Sequence, residues 1–161
     1  MKVLVAYMPR TGNTKKVAEA IYDAIPKPKE IRRIENVTSL EGYDLSFLGF
    51  PIYASGPNRQ AKAFLETHVE DKAIALFLTH MAPEDAPPLQ GWIQKFKDAA
   101  VGANIIGIFD CQVQASRLVK TFVRIHPQAR ASVRASQGQP DAARLERARA
   151  FANEMMNRLK P

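Results

Sequence analysis

The sequence predicts an α/β fold in which helices cover both faces of a doubly wound, five-stranded parallel sheet, giving three layers. Short apolar runs alternate with amphipathic stretches, and most of the runs are continuous, as in strands that are buried on both faces. The connections are mostly short, which favours right-handed crossovers. The 161 residues contain no repeat or dividing linker, so we expect a single domain over residues 1–161.

Five apolar runs are predicted to be strands, because they are rich in β-branched and aromatic residues and end at turn residues. They are Lys2–Tyr7, Glu30–Ile34, Leu45–Phe50, Ala73–Leu78 and Asn104–Phe109. The second run is the most polar of the five, since Arg32 and Arg33 lie within it. We therefore expect it at an edge of the sheet.

Helices are predicted where apolar residues recur every three or four positions. The predicted helices are Asn13–Ile25, Asn58–His68, Leu89–Ala100 and Asp141–Leu159, with a short turn around Ser39–Tyr43 and another helix at Ala115–Ile125. The last long helix carries a stripe at core-facing spacing, made of Leu145, Ala148, Ala152, Met155 and Leu159. Strands and helices thus alternate along the chain.

The connection after the first strand is rich in hydroxyl groups and leads directly into a helix. It contains Thr11, Gly12, Asn13 and Thr14. Unpaired N–H groups at a helix start attract an anion, and glycine lets the backbone approach it, so the turn predicts a phosphate site. The patterns G-x-G-x-x-G and G-x-x-x-x-G-K-[ST] are both absent. The alternative is that Thr11 or Asn13 simply caps the helix.

The sequence T-G-N-T at this position resembles the flavodoxin family, whose [ST]-x-T-G-x-T loop holds the terminal phosphate of FMN. The resemblance departs at Pro9, where flavodoxins usually have a hydroxyl residue. It implies an FMN site whose phosphate contacts come from Pro9, Arg10, Thr11, Gly12, Asn13 and Thr14. Five strands with a phosphate loop after the first favour the flavodoxin-like strand order 2-1-3-4-5, with the ligand between strands one and three.

In flavodoxins, the loops after strands three and four flank the isoalloxazine ring, often with an aromatic residue on each side. The resemblance therefore assigns cofactor contacts to Pro51, Ile52, Tyr53, Ala54, Ser55 and Gly56 in one loop, and to Thr79, His80, Met81 and Ala82 in the other. Tyr53 offers a flat face for stacking or is a packed surface aromatic. The second loop has no Tyr or Trp, so Trp92 is either the second stacking residue or a helix-core anchor.

Further segments look like short bacterial flavodoxin-family proteins. They are Leu48–Tyr53, Phe109–Gln112, Ser136–Asp141 and Leu145–Ala152. Some members of that group are regarded as redox partners of reductases such as the one acting on bilirubin. The resemblance therefore implies a redox partner protein.

Positive charge is concentrated near the end of the chain. The formal net charge is +7, and residues 117–161 hold 10 Lys and Arg against 3 Asp and Glu. The basic residues in the connection before the last helix are Arg117, Lys120, Arg124, Arg130 and Arg134. They form either a solvated basic face or a docking site for an acidic protein partner. A nucleic-acid partner is not expected, because no recognition-helix or basic-aromatic pattern accompanies them.

The remaining reactive residues are few. Cys111 is the single cysteine, which excludes an internal disulfide, and we expect a buried thiol, with a redox role as the alternative. The three histidines are too scattered to predict a metal site. No apolar run reaches membrane-spanning length, and the first residues are predicted to be strand, not signal peptide. We therefore expect a cytoplasmic protein.

Three functions fit these observations. The leading one is an FMN-binding electron carrier for a partner reductase, in which no residue acts as an acid or base. An NAD(P)H-dependent flavin or quinone reductase of the same fold is the enzyme alternative, and NADPH oxidation separates it from a carrier. The third is a flavin-free interaction protein with a basic docking face, which would not turn yellow with FMN.

Overall fold

The structure is a computed structural model and describes residues 1–115 and 130–159. Its strands are Val3–Tyr7 (β1), Lys29–Arg33 (β2), Leu45–Pro51 (β3), Ala73–His80 (β4) and Asn104–Gln112 (β5). They form one parallel sheet in the order β2-β1-β3-β4-β5. This confirms the predicted fold class and strand order, with β2 at one edge and β5 at the other.

Helices lie on both faces of the sheet. They are Asn13–Ala24 (α1), Arg59–His68 (α2), Leu89–Ala99 (α3), Arg130–Ala135 (α4) and Ala142–Arg158 (α5), with a 3₁₀ helix at Ile34–Asn36. Helices α1 and α5 pack against each other on one face, and α2 and α3 pack together on the other. Within residues 1–115 and 130–159, no helix has both the length and the apolar character needed to cross a membrane.

The core consists of two apolar layers, one on each face of the sheet. Phe47 points to the α1 and α5 layer, where its ring meets that of Phe151 edge-on at 6.0 Å between centroids. Phe50 points to the opposite layer and lies 6.0 Å from the ring of Phe96 in α3. Successive residues of β3 are therefore buried on opposite sides, which is why this strand is continuously apolar.

The observed strands differ from the predicted ones mainly at their carboxyl ends. Strand β4 continues through Thr79 and His80, and β5 continues to Gln112. Thr79 pairs with Cys111 and His80 pairs with Gln112, so the backbone groups of these residues are satisfied in the ladder. The polar side chains at these positions suggest a loop. The strands continue because the side chains of Thr79, His80 and Gln112 have hydrogen-bond partners at the carboxyl ends of the strands.

Other differences are small. Strand β2 begins and ends one residue earlier than predicted, since Ile34 starts the 3₁₀ helix, which the sequence analysis did not predict. The stripe on α5 is confirmed, because Ala148, Ala152 and Met155 are buried, and Phe151 and Met156 join them. The helix predicted at Ala115–Ile125 lies outside the described residues apart from Ala115, which follows β5 without being helical.

Cys111 is buried in β5 between the sheet and α5. Burial raises the pKa of its thiol to about 12, from an ordinary value of 9.0. The interpretation as a buried thiol is therefore confirmed.

We expect native Cys111 to react with a thiol-specific disulfide reagent at pH 8 at least ~1000-fold more slowly than in urea. The thiolate is the nucleophile, and a pKa of about 12 leaves almost none of it at pH 8. Stopped-flow labelling with and without urea measures the ratio. Complete labelling of the native protein within seconds would contradict a buried, protonated thiol.

Candidate functional site

Loops from four strands meet at the carboxyl edge of the sheet. The N–H of Met8 donates to the carbonyl of Gly49 at 2.8 Å, and the N–H of Ile52 donates to that of Thr79 at 2.8 Å. The N–H of Val113 donates to the carbonyl of His80 at 2.7 Å. These bonds continue the ladders beyond the strands, so the loops after β1, β3, β4 and β5 start in fixed register.

A cavity of about 430 Å³ opens between these loops. It is lined by Arg10, Thr11, Thr14, Pro51, Ile52, Tyr53, Ala54, Thr79, His80, Met81, Val113 and Gln114. In open α/β sheets, ligands bind outside the carboxyl ends of the strands, where the strand order reverses. The cavity lies at that position, outside the carboxyl ends of the neighbouring strands β1 and β3.

A wider hollow of about 850 Å³ lies elsewhere, between α1 and the edge strand β2. Most of its charged side chains already have partners, since Lys15 pairs with Glu19 at 3.4 Å, Arg33 pairs with Glu35 at 3.4 Å and Arg32 pairs with Glu30. It also lies towards the β2 edge of the sheet and includes no residue from the loops after β3 and β4. We therefore place the candidate site in the smaller cavity.

Helix α1 begins at this cavity with an N-cap that has no side chain. The N-cap is Gly12, with φ 85° and ψ −15°, and the first helical bond runs from the N–H of Lys16 to the Gly12 carbonyl at 3.1 Å. A Cβ at Gly12 would meet nothing within 4 Å, so the space in front of the helix is open. Helix geometry directs the first-turn N–H groups into that space, where they favour an anion.

Two threonine hydroxyls form the wall beside this helix start. Thr14 Oγ1 and Thr79 Oγ1 are 2.9 Å apart, and both residues are buried. One hydroxyl donates to the other, which leaves the hydrogen of the accepting hydroxyl free for another acceptor. This bond also ties the start of α1 to the end of β4.

The side chain of Asn13 connects two segments of the site. Its side-chain Nδ2 donates to the carbonyl of Gln114 at 2.8 Å, which joins α1 to the loop after β5. The N-cap residue is Gly12, so neither Thr11 nor Asn13 occupies the capping position that the alternative interpretation gave them.

Tyr53 is presented by a tight, strained turn at the mouth of the cavity. Its N–H donates to the Gly56 carbonyl at 2.9 Å, and the Gly56 N–H donates to the Tyr53 carbonyl at 3.1 Å. Between them, Ala54 and Ser55 have φ of 51° and 141°, which side-chain-bearing residues rarely adopt. Tyr53 remains 41% exposed, and the Arg10 guanidinium carbon lies 3.6 Å from its ring centroid.

His80 is held rigidly in the opposite wall. Its Nδ1 donates to the carbonyl of Ala82 at 2.9 Å, and its Nε2 lies 3.1 Å from Asp110 Oδ2. The imidazole side chain is only 2% exposed, so both contacts are shielded from water. The ring therefore fixes the path of the loop after β4. Asp110 was not predicted to take part in the site.

The profile of the flavodoxin domain family matches residues 4–153, nearly the whole chain. The chain belongs to the flavodoxin family. It is 32% identical over 171 residues to the flavodoxin-like domain-containing protein BilS of Clostridioides difficile (strain CD3), covering 97% of both chains.

Solved structures share the flavodoxin fold. A flavodoxin from the domain Archaea superposes with a TM-score of 0.65 at 16% identity, covering 100% of both chains. A flavoprotein from Lactobacillus acidophilus NCFM, solved in complex with FMN, gives 0.55 at 21% identity, covering 68% of this chain and 92% of its own. At these identities the likeness concerns the fold.

The residues of this flavodoxin-family chain fit an FMN phosphate and one face of the ring. The phosphate fits because Gly12 leaves open space before the N–H groups of α1 and hydroxyls lie beside it. Tyr53 places a partly exposed aromatic ring in the same cavity, with the Arg10 guanidinium over it. The last residue of β4, His80, and the first of the following loop, Met81, lie where a second aromatic is usual in the family.

Ten of the sixteen residues assigned to the cofactor line the cavity, and six do not. Ser55 and Gly56 line a neighbouring hollow with Lys62 and Lys95. Pro9, Gly12, Asn13 and Ala82 lie next to lining residues in the chain without lining the cavity themselves. Trp92 is partly buried against the α2 and α3 layer, as expected of a helix-core anchor.

Val113 and Gln114 line the cavity but were missed in the sequence analysis. They follow β5, whose carboxyl end lies at the same edge of the sheet as those of β3 and β4. This position along the chain could have identified them as lining residues.

The loop after β4 is also anchored to α5. Glu84 accepts from Arg144 Nε at 3.0 Å and from Arg147 Nη1 at 3.0 Å. Burial raises the pKa of Glu84, but the two guanidinium groups lower it more, so the net pKa lies below the ordinary 4.5. Arg149 and Arg158 pair with Glu146 and Glu154. Much of the positive charge of α5 is therefore balanced locally.

Proposed function

We propose that this protein binds FMN non-covalently and transfers electrons to a partner reductase. The observation that carries the proposal is the start of α1, where open space before uncapped N–H groups adjoins a cavity lined by the partly exposed ring of Tyr53. FMN, when bound, supplies the electron-transfer chemistry. The residues of the chain bind it, orient it and limit its contact with water.

The phosphate contacts are assigned to the first turn of α1 and to Thr11 and Thr14. The N–H groups and hydroxyls there are donors, and a hydrogen bond to a charged group is worth about 1.5–3 kcal/mol. The ring is assigned to the space between Tyr53 and the loop after β4, where the imidazole of His80 keeps Met81 and Ala82 in place. No side chain is required to act as an acid or base.

The partner surface is assigned to the basic part of the chain. Arg130 and Arg134 are exposed on α4, next to the segment that contains Arg117, Lys120 and Arg124, which lies outside the described residues. Basic side chains there attract an acidic partner and speed the encounter in a salt-dependent way. Such a carrier would work in the cytoplasm, where reductases and FMN are both present.

A side-by-side titration with FMN and riboflavin tests the proposal. We expect FMN to bind ~100-fold more tightly, because riboflavin lacks the group that the α1 turn holds, and two charge-assisted hydrogen bonds account for a difference of this size. Flavin fluorescence quenching measures both affinities. Binding of neither flavin would favour the flavin-free interaction protein, and equal affinities would contradict a phosphate site.

NADPH oxidation separates the carrier from the enzyme alternative. A carrier loaded with FMN oxidises almost no NADPH by itself, whereas a flavin or quinone reductase of this fold turns it over. Absorbance at 340 nm with and without a quinone measures this. Rapid turnover by the purified holoprotein would replace the carrier proposal with the reductase.

A further inference from the structure

We propose that Arg10 selects phosphorylated flavins by exchanging the face of Tyr53 for the ligand's phosphate. This inference rests on the proposed function, since it concerns the same cavity. In one position the Arg10 side chain covers the Tyr53 ring and opposes binding of the flavin ring. In the other it contacts the phosphate and favours phosphate binding.

The first observation is the contact between the two residues. The Arg10 guanidinium lies over the Tyr53 ring at 3.6 Å, so the loop after β1 touches the loop after β3 across the crevice. Both side chains line the same cavity, which places the stacked pair in its wall. A guanidinium over an aromatic face at an exposed site is held there by a factor of only about 2–5 in an equilibrium constant. The contact is therefore weak enough to be exchanged.

The second observation is that the charge of Arg10 is not used by an acidic side chain. Among the ion pairs of residues 1–115 and 130–159, none involves Arg10, whereas Arg32, Arg33, Arg144 and Arg147 all have carboxylate partners. Arg10 also lies two residues before the N-cap Gly12. A guanidinium binds phosphate through two parallel hydrogen bonds, so this charge is well placed for the phosphate.

The third observation is that the cavity has little other aromatic surface. Among the described residues that line it, only Tyr53 and His80 carry aromatic rings, and the His80 imidazole is held by two contacts at 2% exposure. A flat ligand in the cavity therefore stacks on Tyr53. The ligand's ring and the Arg10 guanidinium cannot occupy one face together, because each needs van der Waals contact with it.

These observations make Arg10 a specificity-determining residue. A flavin without a phosphate must displace Arg10 and receives nothing in return, whereas FMN offers the displaced guanidinium a phosphate. The same exchange compensates for Pro9, which has no hydroxyl to give the phosphate.

The test compares Arg10→Ala with Lys16→Ala, which removes one positive charge from an exposed residue of α1 that does not line the cavity. In Arg10→Ala, we expect the Kd of FMN to rise ~10-fold, from the lost charge-assisted bond. The Kd of riboflavin should fall ~3-fold, because Tyr53 is uncovered. The preference for FMN thus drops ~30-fold, and Lys16→Ala changes both values in parallel by less than ~2-fold.

Arg10→Lys refines the comparison, because it keeps the charge but loses the planar fork. We expect it to retain part of the FMN affinity while binding riboflavin as tightly as Arg10→Ala does. If Arg10→Ala changes the Kd values of FMN and riboflavin in the same direction and by the same factor, the proposed exchange is wrong.

An NMR arm separates this inference from the proposed function. The Tyr53 ring current should shift the Arg10 side-chain protons upfield in the wild-type protein, and Tyr53→Leu should abolish that shift. Inorganic phosphate should reverse it in the wild type whether or not any flavin binds. A failure to bind flavin refutes the FMN carrier and, with it, the selection among flavins, but not the exchange of Arg10 between Tyr53 and phosphate. An upfield shift that survives saturating phosphate overturns the Arg10 exchange itself.

Discussion

Replacing Thr11 by aspartate is expected to weaken FMN binding ~1000-fold while leaving the fold intact. Thr11 is exposed, lines the cavity and directly precedes the N-cap Gly12. A carboxylate there faces the dianionic phosphate, and two like charges 4 Å apart repel by about 4 kcal/mol at an effective dielectric of 20. The same carboxylate is favourable at the empty helix start, by about 0.3–1 kcal/mol, because the helix dipole attracts it.

The matched control is Thr11→Asn, which has nearly the size of aspartate without its charge. We expect it to lose no more than ~10-fold in FMN affinity, equivalent to one hydrogen bond. Riboflavin binding should be similar in both variants, since the repulsion acts on the phosphate. Fluorescence titrations give the affinities, and thermal melting gives the stability. Unchanged FMN affinity in Thr11→Asp would place the phosphate elsewhere.

Gly49→Ala is expected to lower the free energy of unfolding by about 3 kcal/mol, the upper end of the usual cost of overpacking. Gly49 pairs with Phe77 across β3 and β4, and the phenyl ring lies over the glycine. A Cβ at Gly49 would be 2.0 Å from the nearest ring atom of Phe77. Both residues are buried in the core, so the ring has little room to move away.

Urea unfolding of two further variants checks the cause. Gly91→Ala changes a glycine in α3 whose Cβ would meet nothing within 4 Å, and it should stabilise the protein by about 0.5–1 kcal/mol. Adding Phe77→Leu to Gly49→Ala shortens the side chain that clashes and should restore part of the loss. If Gly49→Ala unfolds at the wild-type urea concentration, the close contact with Phe77 does not exist in solution.

Thr11→Asp and Gly49→Ala test different properties of neighbouring segments. Gly49 accepts from the N–H of Met8, so its contact with Phe77 supports the backbone that begins the phosphate turn. Thr11 lies in that turn and acts on the ligand directly. Loss of affinity through Gly49 should therefore appear together with loss of stability, whereas loss through Thr11 should appear alone.

Much of the candidate site was predictable because it lies at strand ends. Parallel strands bring their carboxyl ends to one edge, so recognising β1, β3 and β4 was enough to group Thr14, Tyr53 and Thr79. No cofactor contact was assigned to the residues after β5, and Gln114 was missed for that reason. Ser55 and Gly56 belong to the right loop, but the turn at Ala54 directs them to another hollow.

The order of apolar runs and helical stripes by itself determined the five strands, and the turn after the first strand added the order of the sheet and the edge at which the candidate cavity lies. These depend on periodicity and on the handedness of the connections, which are local properties of the chain. The partners of individual side chains depended on the tertiary structure. The contacts of Arg10 with Tyr53, of His80 with Asp110 and of Glu84 with α5 join residues far apart in sequence. They form because packing the sheet against its helices brings those residues within a few ångströms, and no pattern along the chain encodes that distance.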